Sequence, residues 1–199
     1  MISTLHNSSI LPRRKLVLTE EISLIIGESG SEILDVGCGD GEIAQNVAKI
    51  TGAKRIEGVE THLRPECKIK VELYDGKVLP YPDKSFDYVT ISDVLHHDPN
   101  PGIILKECAR VARKGVVIKD HLAENTVARF KLRLMDWVGN FHHGVRLEYN
   151  YLSQKQLETE FASAGLHEVS RNTDIPLYTG LLQKIFGDGL HFVNNLKPA

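Results

Sequence analysis

The residues in this sequence best suited to moving a proton are the pairs Asp120-His121 and His96-His97. Those best suited to holding a nucleoside are Gly37, Gly39 and Gly41 in the run Ile33-Leu34-Asp35-Val36-Gly37-Cys38-Gly39-Asp40-Gly41, with Glu60 beyond them. Three glycines at alternate positions let a backbone turn sharply and approach a ligand where a Cβ would collide. A carboxylate about twenty residues past such a loop, at the tip of the next strand, is where a doubly wound fold holds a ribose through its hydroxyls. A helix beginning at Glu42 would turn its free N–H groups toward the same crevice.

Glycine spacing narrows the ligand. A nicotinamide-binding turn needs G-x-G-x-x-G, and Glu42 stands where the third glycine belongs. Asp35 and Asp40 also flank a turn that in a dinucleotide site must receive a pyrophosphate, which carboxylates would repel. S-adenosylmethionine has no phosphate, and its ammonium and sulfonium are groups that Asp35 can attract directly or through water. S-adenosylmethionine, leaving as S-adenosylhomocysteine, is therefore the expected cofactor.

The elements that must position these residues are legible from periodicity. Short β-rich runs alternate with helical segments, the pattern of a mostly parallel sheet with helices on both faces. Helices are expected over 14–26, 42–50, 101–112, 124–138 and from a capping box at Ser153 and Gln156 to about Ala164. Strands are expected over 32–36, 55–60, 68–72, 86–92, 115–119, 166–171 and 189–194, the last of the seven antiparallel. Only residues 61–67 connect the second and third strands, too few for a full crossover helix, so one turn or less is expected there.

The chain resembles the class I S-adenosylmethionine-dependent methyltransferases, in particular the small-molecule, type 11-like enzymes, and the likeness covers most of its length. It rests on the glycine run, on Tyr74-Asp75-Gly76 followed by Leu79-Pro80-Tyr81-Pro82-Asp83-Lys84-Ser85-Phe86-Asp87, on Ser92-Asp93-Val94-Leu95-His96-His97, and on Glu107-Cys108-Ala109-Arg110-Val111-Ala112. The resemblance implies a doubly wound, Rossmann-like α/β fold. It also implies that Asp75 accepts from the adenine amino group, that the Gly76 N–H meets a ring nitrogen, and that the segment from Ser92 to His97 passes beneath the methionine part of the cofactor. Arg113-Lys114-Gly115 lacks the double glycine common before the fifth strand, in a turn remote from the cofactor.

Methyl transfer from a sulfonium is an in-line displacement, so holding nucleophile, carbon and sulfur in line is the protein's main task, worth about 7–11 kcal/mol. A base is needed only when the acceptor must lose a proton, and an imidazole with a pKa near neutrality suits that work. His121 is the first choice because it follows the fifth strand at the edge where this fold carries its site, with Asp120 orienting it or binding substrate. The alternative for Asp120-His121 is a simple helix entrance. For His96 and His97 the ordinary role is packing, although His97 and Ser92 lie where a cofactor would pass. Residues 121–152 are expected to form a substrate-side insertion or lid, with Trp137, Asn140, His143, Tyr149 and Tyr151 lining the acceptor pocket. The plain alternative for Trp137, Tyr149 and Tyr151 is hydrophobic core. Leu181, Leu182, Ile185 and Phe186 have helical spacing that suits either packing on the sheet or a lipid surface.

At 199 residues the chain has room for one domain, 1–199, with an ordinary globular composition. A net charge of −2 gives no general attraction to nucleic acid, and there is no D/N-P-P-Y-type run. Three cysteines without C-x-x-C spacing indicate neither a disulfide framework nor a zinc knuckle, and no metal ligand set can be placed. With no run of eighteen apolar residues and no leader-like start, a soluble cytoplasmic protein is expected. The function these readings favour is methyl transfer to a small organic or lipid-like acceptor. A protein that binds the cofactor without transferring its methyl group, as a sensor or partner subunit, is the second reading.

Overall fold

The computed structural model describes residues 10–140 and 148–199. His142 and His143 fall outside them. Seven strands form one sheet, β1 (Glu32–Val36), β2 (Arg55–Glu60), β3 (Lys70–Leu73), β4 (Phe86–Ser92), β5 (Ala112–His121), β6 (Leu166–Asn172) and β7 (His191–Pro198). Their spatial order is β3-β2-β1-β4-β5-β7-β6. The first five pair in parallel, and β7 lies antiparallel between β5 and β6. The order reverses between β1 and β4, so the carboxyl ends of those two strands open the crevice in which such sheets bind ligands.

Side chains alternate across the sheet, and each face acquires its own helical layer. Ile33, Tyr88, Val117 and Val193 pack with Val17, Leu18, Ile22 and Ile26 of α1 (Leu11–Ile26) and Val47 of α2 (Glu42–Thr51). Leu34, Val89, Val116, Ile118 and Leu196 face the other way, onto Ile104, Leu105 and Cys108 of α3 (Pro101–Val111) and Leu157 and Phe161 of α5 (Gln154–Ser163). A period-two sheet can fill two cores in this way, each fully buried Leu, Ile or Val contributing about 1.5–3 kcal/mol. Among the described residues no helix is long and apolar enough to cross a membrane.

Several boundaries differ from the sequence expectation. α1 starts at Leu11, because Pro12 is tolerated in a first turn. β3 begins at Lys70, since the Lys68 N–H donates to the Asp40 carbonyl and its own carbonyl accepts from Gln45 Nε2, tying it to the glycine loop. Residues 61–67 form no helix. β7 starts at His191 and runs on to Pro198, since it has partners on both sides. The most consequential change is β5: it extends to His121, so Asp120 and His121 belong to its last rungs, opposite Phe192 and His191, instead of following it. After β5, α4 (Thr126–Asn140) begins two residues later than expected, where Asn125 Oδ1 accepts the Ala128 N–H. The capping box at Ser153 and Gln156 forms as expected. In the turn before β7, Leu182 and Phe186 pack on the α1 side of the sheet while Leu181 is exposed.

Candidate active site

The glycine loop joins the tip of β1 to α2. The Gly37 N–H bonds the Val59 carbonyl at 2.9 Å, and the Gly39 N–H bonds Glu60 Oε1 at 2.8 Å. Glu60 Oε2 accepts the Thr61 N–H at 3.1 Å. The loop and the candidate ribose carboxylate are thus preassembled as one unit. All three glycines have positive φ, from 59° to 73°. The protein's own side chains fix two of them: a Cβ on Gly37 would lie 2.4 Å from Val94 Cγ2, and one on Gly41 would lie 2.5 Å from Ile69 Cγ1. Only at Gly39 is the space open, with nothing within 4 Å of a Cβ, as a backbone cradle for a ligand requires. An open cleft of about 560 Å³ lies there, lined by Gly39, Asp40, Lys15, Arg64 and neighbours. Lys15 of α1 reaches Glu42 at 2.5 Å and Asp40 at 3.3 Å, partly neutralising the acidic turn.

Asp35 lies buried beneath the loop, with Thr90 Oγ1 donating to its Oδ1 at 2.7 Å. Burial, reinforced by the Glu60 charge and opposed by the Thr90 hydrogen bond, pushes its carboxyl up to about 7. Asp75 is exposed at the tip beyond β3, where its Oδ1 accepts the N–H groups of Lys77 and Val78 at 2.8 Å and pins the turn containing Gly76. Ser92 closes β4 beside Lys119.

Beyond β4 and β5 lies a buried polar cluster. His96 Nδ1 donates to Asp120 Oδ1 at 2.7 Å, and its Nε2 lies 3.5 Å from Asp136 Oδ2. Asp120 Oδ2 also accepts the Leu95 N–H at 2.8 Å. His121 Nδ1 is 3.2 Å from Asp120 Oδ1 and 3.3 Å from His96 Nδ1. Neighbours on an extended chain should point to opposite faces, yet here they meet. At the end of β5 the Asp120 carboxylate folds back onto the His121 backbone N–H, 2.7 Å away. Lys119 Nζ contacts Asp93 Oδ1, and Arg14 Nη2 lies 2.9 Å from Asp93 Oδ2.

These contacts assign opposite states to the two imidazoles. Burial works against charge on His96, but Asp120, then Asp136 and Asp93, outweigh it and raise its pKa. For His121, burial, the Lys119 ammonium and the His96 charge together lower the pKa to about 4. His121 is consequently a neutral imidazole at physiological pH, not the near-neutral titrating base expected from sequence. Burial opposes the charge of Asp93, but Lys119 and Arg14 hold its carboxyl well below the usual range.

Asp93, His96, Asp120 and His121 each offer a donor atom, all within 4.8 Å of one another. No ligand set could be placed from sequence spacing; this one is assembled by the fold, with the buried Lys119 ammonium already beside Asp93.

His97 is half-buried with its Nδ1 unpartnered among the described residues, next to His96 at a ring separation of 4.0 Å. Tyr151 is buried, its hydroxyl donating to Asp136 of α4 and its ring 5.8 Å from that of His96. Tyr149 has φ 54° and lies beneath the Arg133 guanidinium. Trp137 is 51% exposed on the outer side of α4, so the hydrophobic-core alternative fails for it. Asn140 is the last residue of α4, and His143 lies outside the described residues.

Sequence reasoning passed over Asp93, Lys119, Asp136, His191 and Arg14, and undervalued His96. One signal was available: Lys119-Asp120-His121 directly follows the apolar run Val116-Val117-Ile118, and buried polar side chains need partners. His191, paired with His121 across β5 and β7, donates from Nε2 to the Phe186 carbonyl, which leaves its buried Nδ1 unpartnered among the described residues.

Comparison with known proteins agrees with this geometry. Residues 10–170 match a family described as a methyltransferase domain. The 27-O-demethylrifamycin SV methyltransferase of Amycolatopsis mediterranei is 34% identical over 99 residues, 44% of this chain and 36% of that protein. The ubiquinone biosynthesis O-methyltransferase of Coxiella burnetii is 29% identical over 115 residues, 53% and 47% of the two chains. This chain thus spans less than half the length of these curated relatives. Among solved structures, a Pyrococcus horikoshii protein superimposes with a TM-score of 0.70 at 17% identity, covering 97% of this chain and 93% of its own. A SAM-dependent methyltransferase of Aquifex aeolicus gives 0.64 at 17% identity, covering 98% and 97%. With residues 10–170 matched, the chain belongs to the methyltransferase-domain family of class I, S-adenosylmethionine-dependent enzymes.

Proposed function

We propose that this chain transfers the S-adenosylmethionine methyl group to a hydroxyl of a small organic, lipid-like acceptor. The observation that carries this reading is the His96–Asp120–His121 cluster, set at the strand ends of the sheet edge that also bears the glycine loop. The cofactor supplies an electrophilic methyl carbon. The acceptor oxygen forms the new bond to that carbon as the carbon–sulfur bond breaks, and its proton passes to His121. Asp120 Oδ1 accepts a hydrogen bond from the His121 Nδ1–H, which leaves Nε2 as the atom that receives the proton. His96, paired on both sides with carboxyls, keeps Asp120 ionised and in place. The described parts of the insertion, residues 121–140 and 148–152, act as the acceptor-side cover, with Tyr149 and Tyr151 at its inner end.

The names of the rifamycin and ubiquinone relatives support an oxygen acceptor on a small molecule. The test is incubation with methyl-labelled S-adenosylmethionine and separated metabolite, lipid and RNA fractions, after calorimetry with S-adenosylmethionine and NAD. Label in the lipid or small-molecule fraction is expected, with no heat from NAD. Cofactor binding with no label in any fraction would leave a sensor or partner subunit instead, and label in RNA alone would overturn the acceptor class.

A further inference from the structure

α4 is apolar on both sides. Its inner row, with Ala128 and Leu132, packs against Tyr151 and Leu190. Its outer row consists of Val127, Phe130, Leu134 and Trp137, spaced by three, four and three residues and exposed by 65%, 68%, 42% and 51%. Single exposed apolar residues are ordinary, whereas four large ones along one helical row form a continuous strip that water does not favour. Leu181, 70% exposed, stands on the turn whose next residue, Leu182, packs in the same cluster as Met135 of α4.

The charges of the helix are equally one-sided. It carries Arg129, Lys131 and Arg133 against a single acid, Asp136, which is buried on Tyr151. Arg129 turns inward to the Tyr151 carbonyl, while Lys131 and Arg133, the latter exposed over the Tyr149 ring, stand on either side of the apolar row. An isologous contact with a second copy would set this same cationic strip against itself. An anionic surface would not oppose it, and a helix with an apolar row, flanking cations and a terminal tryptophan has the makeup of one that lies in the headgroup boundary.

We infer that the outer face of α4 docks this protein onto an anionic phospholipid bilayer. The docked face lies on the helix that follows β5, so the acceptor end of the site sits next to the lipid phase. That consequence rests on the proposed methyl transfer to a lipid-like acceptor; the docking itself does not.

Trp137 is the sole tryptophan of the chain, so its emission reports on this face alone. The full chain is mixed with phosphatidylcholine vesicles with and without phosphatidylglycerol, and binding is read by co-sedimentation and by Trp137 emission. Binding and a blue shift are expected with phosphatidylglycerol, weakened by high salt, and at least roughly tenfold weaker binding to phosphatidylcholine alone. Phe130→Glu with Leu134→Glu should abolish the sedimentation without altering the melting temperature or S-adenosylmethionine binding by calorimetry. Lys131→Glu should weaken it with the apolar row intact. Equal or absent binding to the two vesicles, or unchanged binding of the double variant, overturns the inference. A concentration-dependent dimer removed by the same double variant would assign the face to a second copy and overturn it too. Vesicle binding needs no turnover, so its failure would leave methyl transfer standing, and a failure of methyl transfer would leave docking standing.

Discussion

His96 and Asp120 form a hydrogen bond of 2.7 Å between side chains that are each only 3% exposed. An ionised carboxylate can only accept, so the proton lies on His96 Nδ1. His121 shares the same Asp120 oxygen and stays neutral because a second buried imidazolium beside His96 and Lys119 would be unfavourable. One carboxylate therefore holds a charged and an uncharged histidine within a few ångströms of each other.

Loss of His121 should affect catalysis more than cofactor binding. His121→Ala is expected to lower kcat by about 10²–10⁴-fold if proton removal limits the reaction, with S-adenosylmethionine affinity nearly unchanged by calorimetry. With a folded pKa near 4, His121 should contribute no ionisation to the parent's pH–rate profile between pH 5 and 8. A limb in that window that vanishes in His121→Ala would contradict its assignment as a neutral base.

The same shift makes a stability prediction with a definite sign. His121 is held below its unfolded value of 6.5, so it is more readily protonated in the unfolded chain. Its contribution is complete above pH 6.5 and is lost as pH falls toward about 4. His121→Asn should flatten the parent's decline in melting temperature across that window, as thermal melts at steps of pH would show.

Asp35 titrates the other way. Its folded pKa of about 7 exceeds the ordinary 3.8, so ionising it costs the folded state stability as pH rises from 3.8 to 7, about 1.4 kcal/mol per pH unit. Asp35→Asn should raise the melting temperature at pH 8 and leave it nearly unchanged at pH 4. The variant should also bind the cationic cofactor less tightly. In the parent, affinity should fall as pH drops below 7, by up to about tenfold per unit, and calorimetry across pH would detect this. A parent affinity that does not vary from pH 6 to 8 would remove Asp35 from cofactor recognition.

The glycine loop, Glu60 and six of the seven strands were legible because they depend on local chemistry: φ sign, period-two burial and the length of a link. Strand β5 ran past its expected end because the last residues, Lys119-Asp120-His121, are polar yet buried, and only their partners explain that. Those partners come from elsewhere: Asp93 from the end of β4, Asp136 from α4, Arg14 from α1 and His191 from β7. The sheet order brings them together, and no spacing along the chain encodes it. Likewise, Gly37 and Gly41 read as ligand-facing glycines, whereas Val94 and Ile69 are what a side chain there would strike.

That distinction separates the loop glycines experimentally. Gly39→Ala meets open space and should cost only the roughly 1–2 kcal/mol of a left-handed residue, while weakening cofactor binding. Gly41→Ala adds a collision with Ile69 and should lower the melting temperature further, with partial recovery in combination with Ile69→Ala. Equal melting temperatures for the two single variants would refute the collision.

Tyr151 tests whether the insertion is tied to the acceptor site. Its hydroxyl donates to Asp136, which also lies 3.5 Å from His96 Nε2, so the phenol anchors α4 to the cluster that holds Asp120. Tyr151→Phe keeps the ring, 5.8 Å from His96 and with its apolar packing intact, but removes the donor from a buried carboxyl. Such a loss costs about 1–3 kcal/mol, which denaturant titration can resolve. Without the Tyr151 donor, Asp136 should draw the His96 imidazole from Asp120 toward itself, and Asp120 would orient His121 less well. The variant should therefore lose kcat and raise the acceptor KM while its S-adenosylmethionine affinity stays close to the parent's. Trp137→Phe, on the outer side of α4, is the control and should change stability by no more than about 0.5 kcal/mol. If Tyr151→Phe loses stability alone, with kcat and KM intact, the Asp136 link serves only to hold the helix and plays no part in orienting His121.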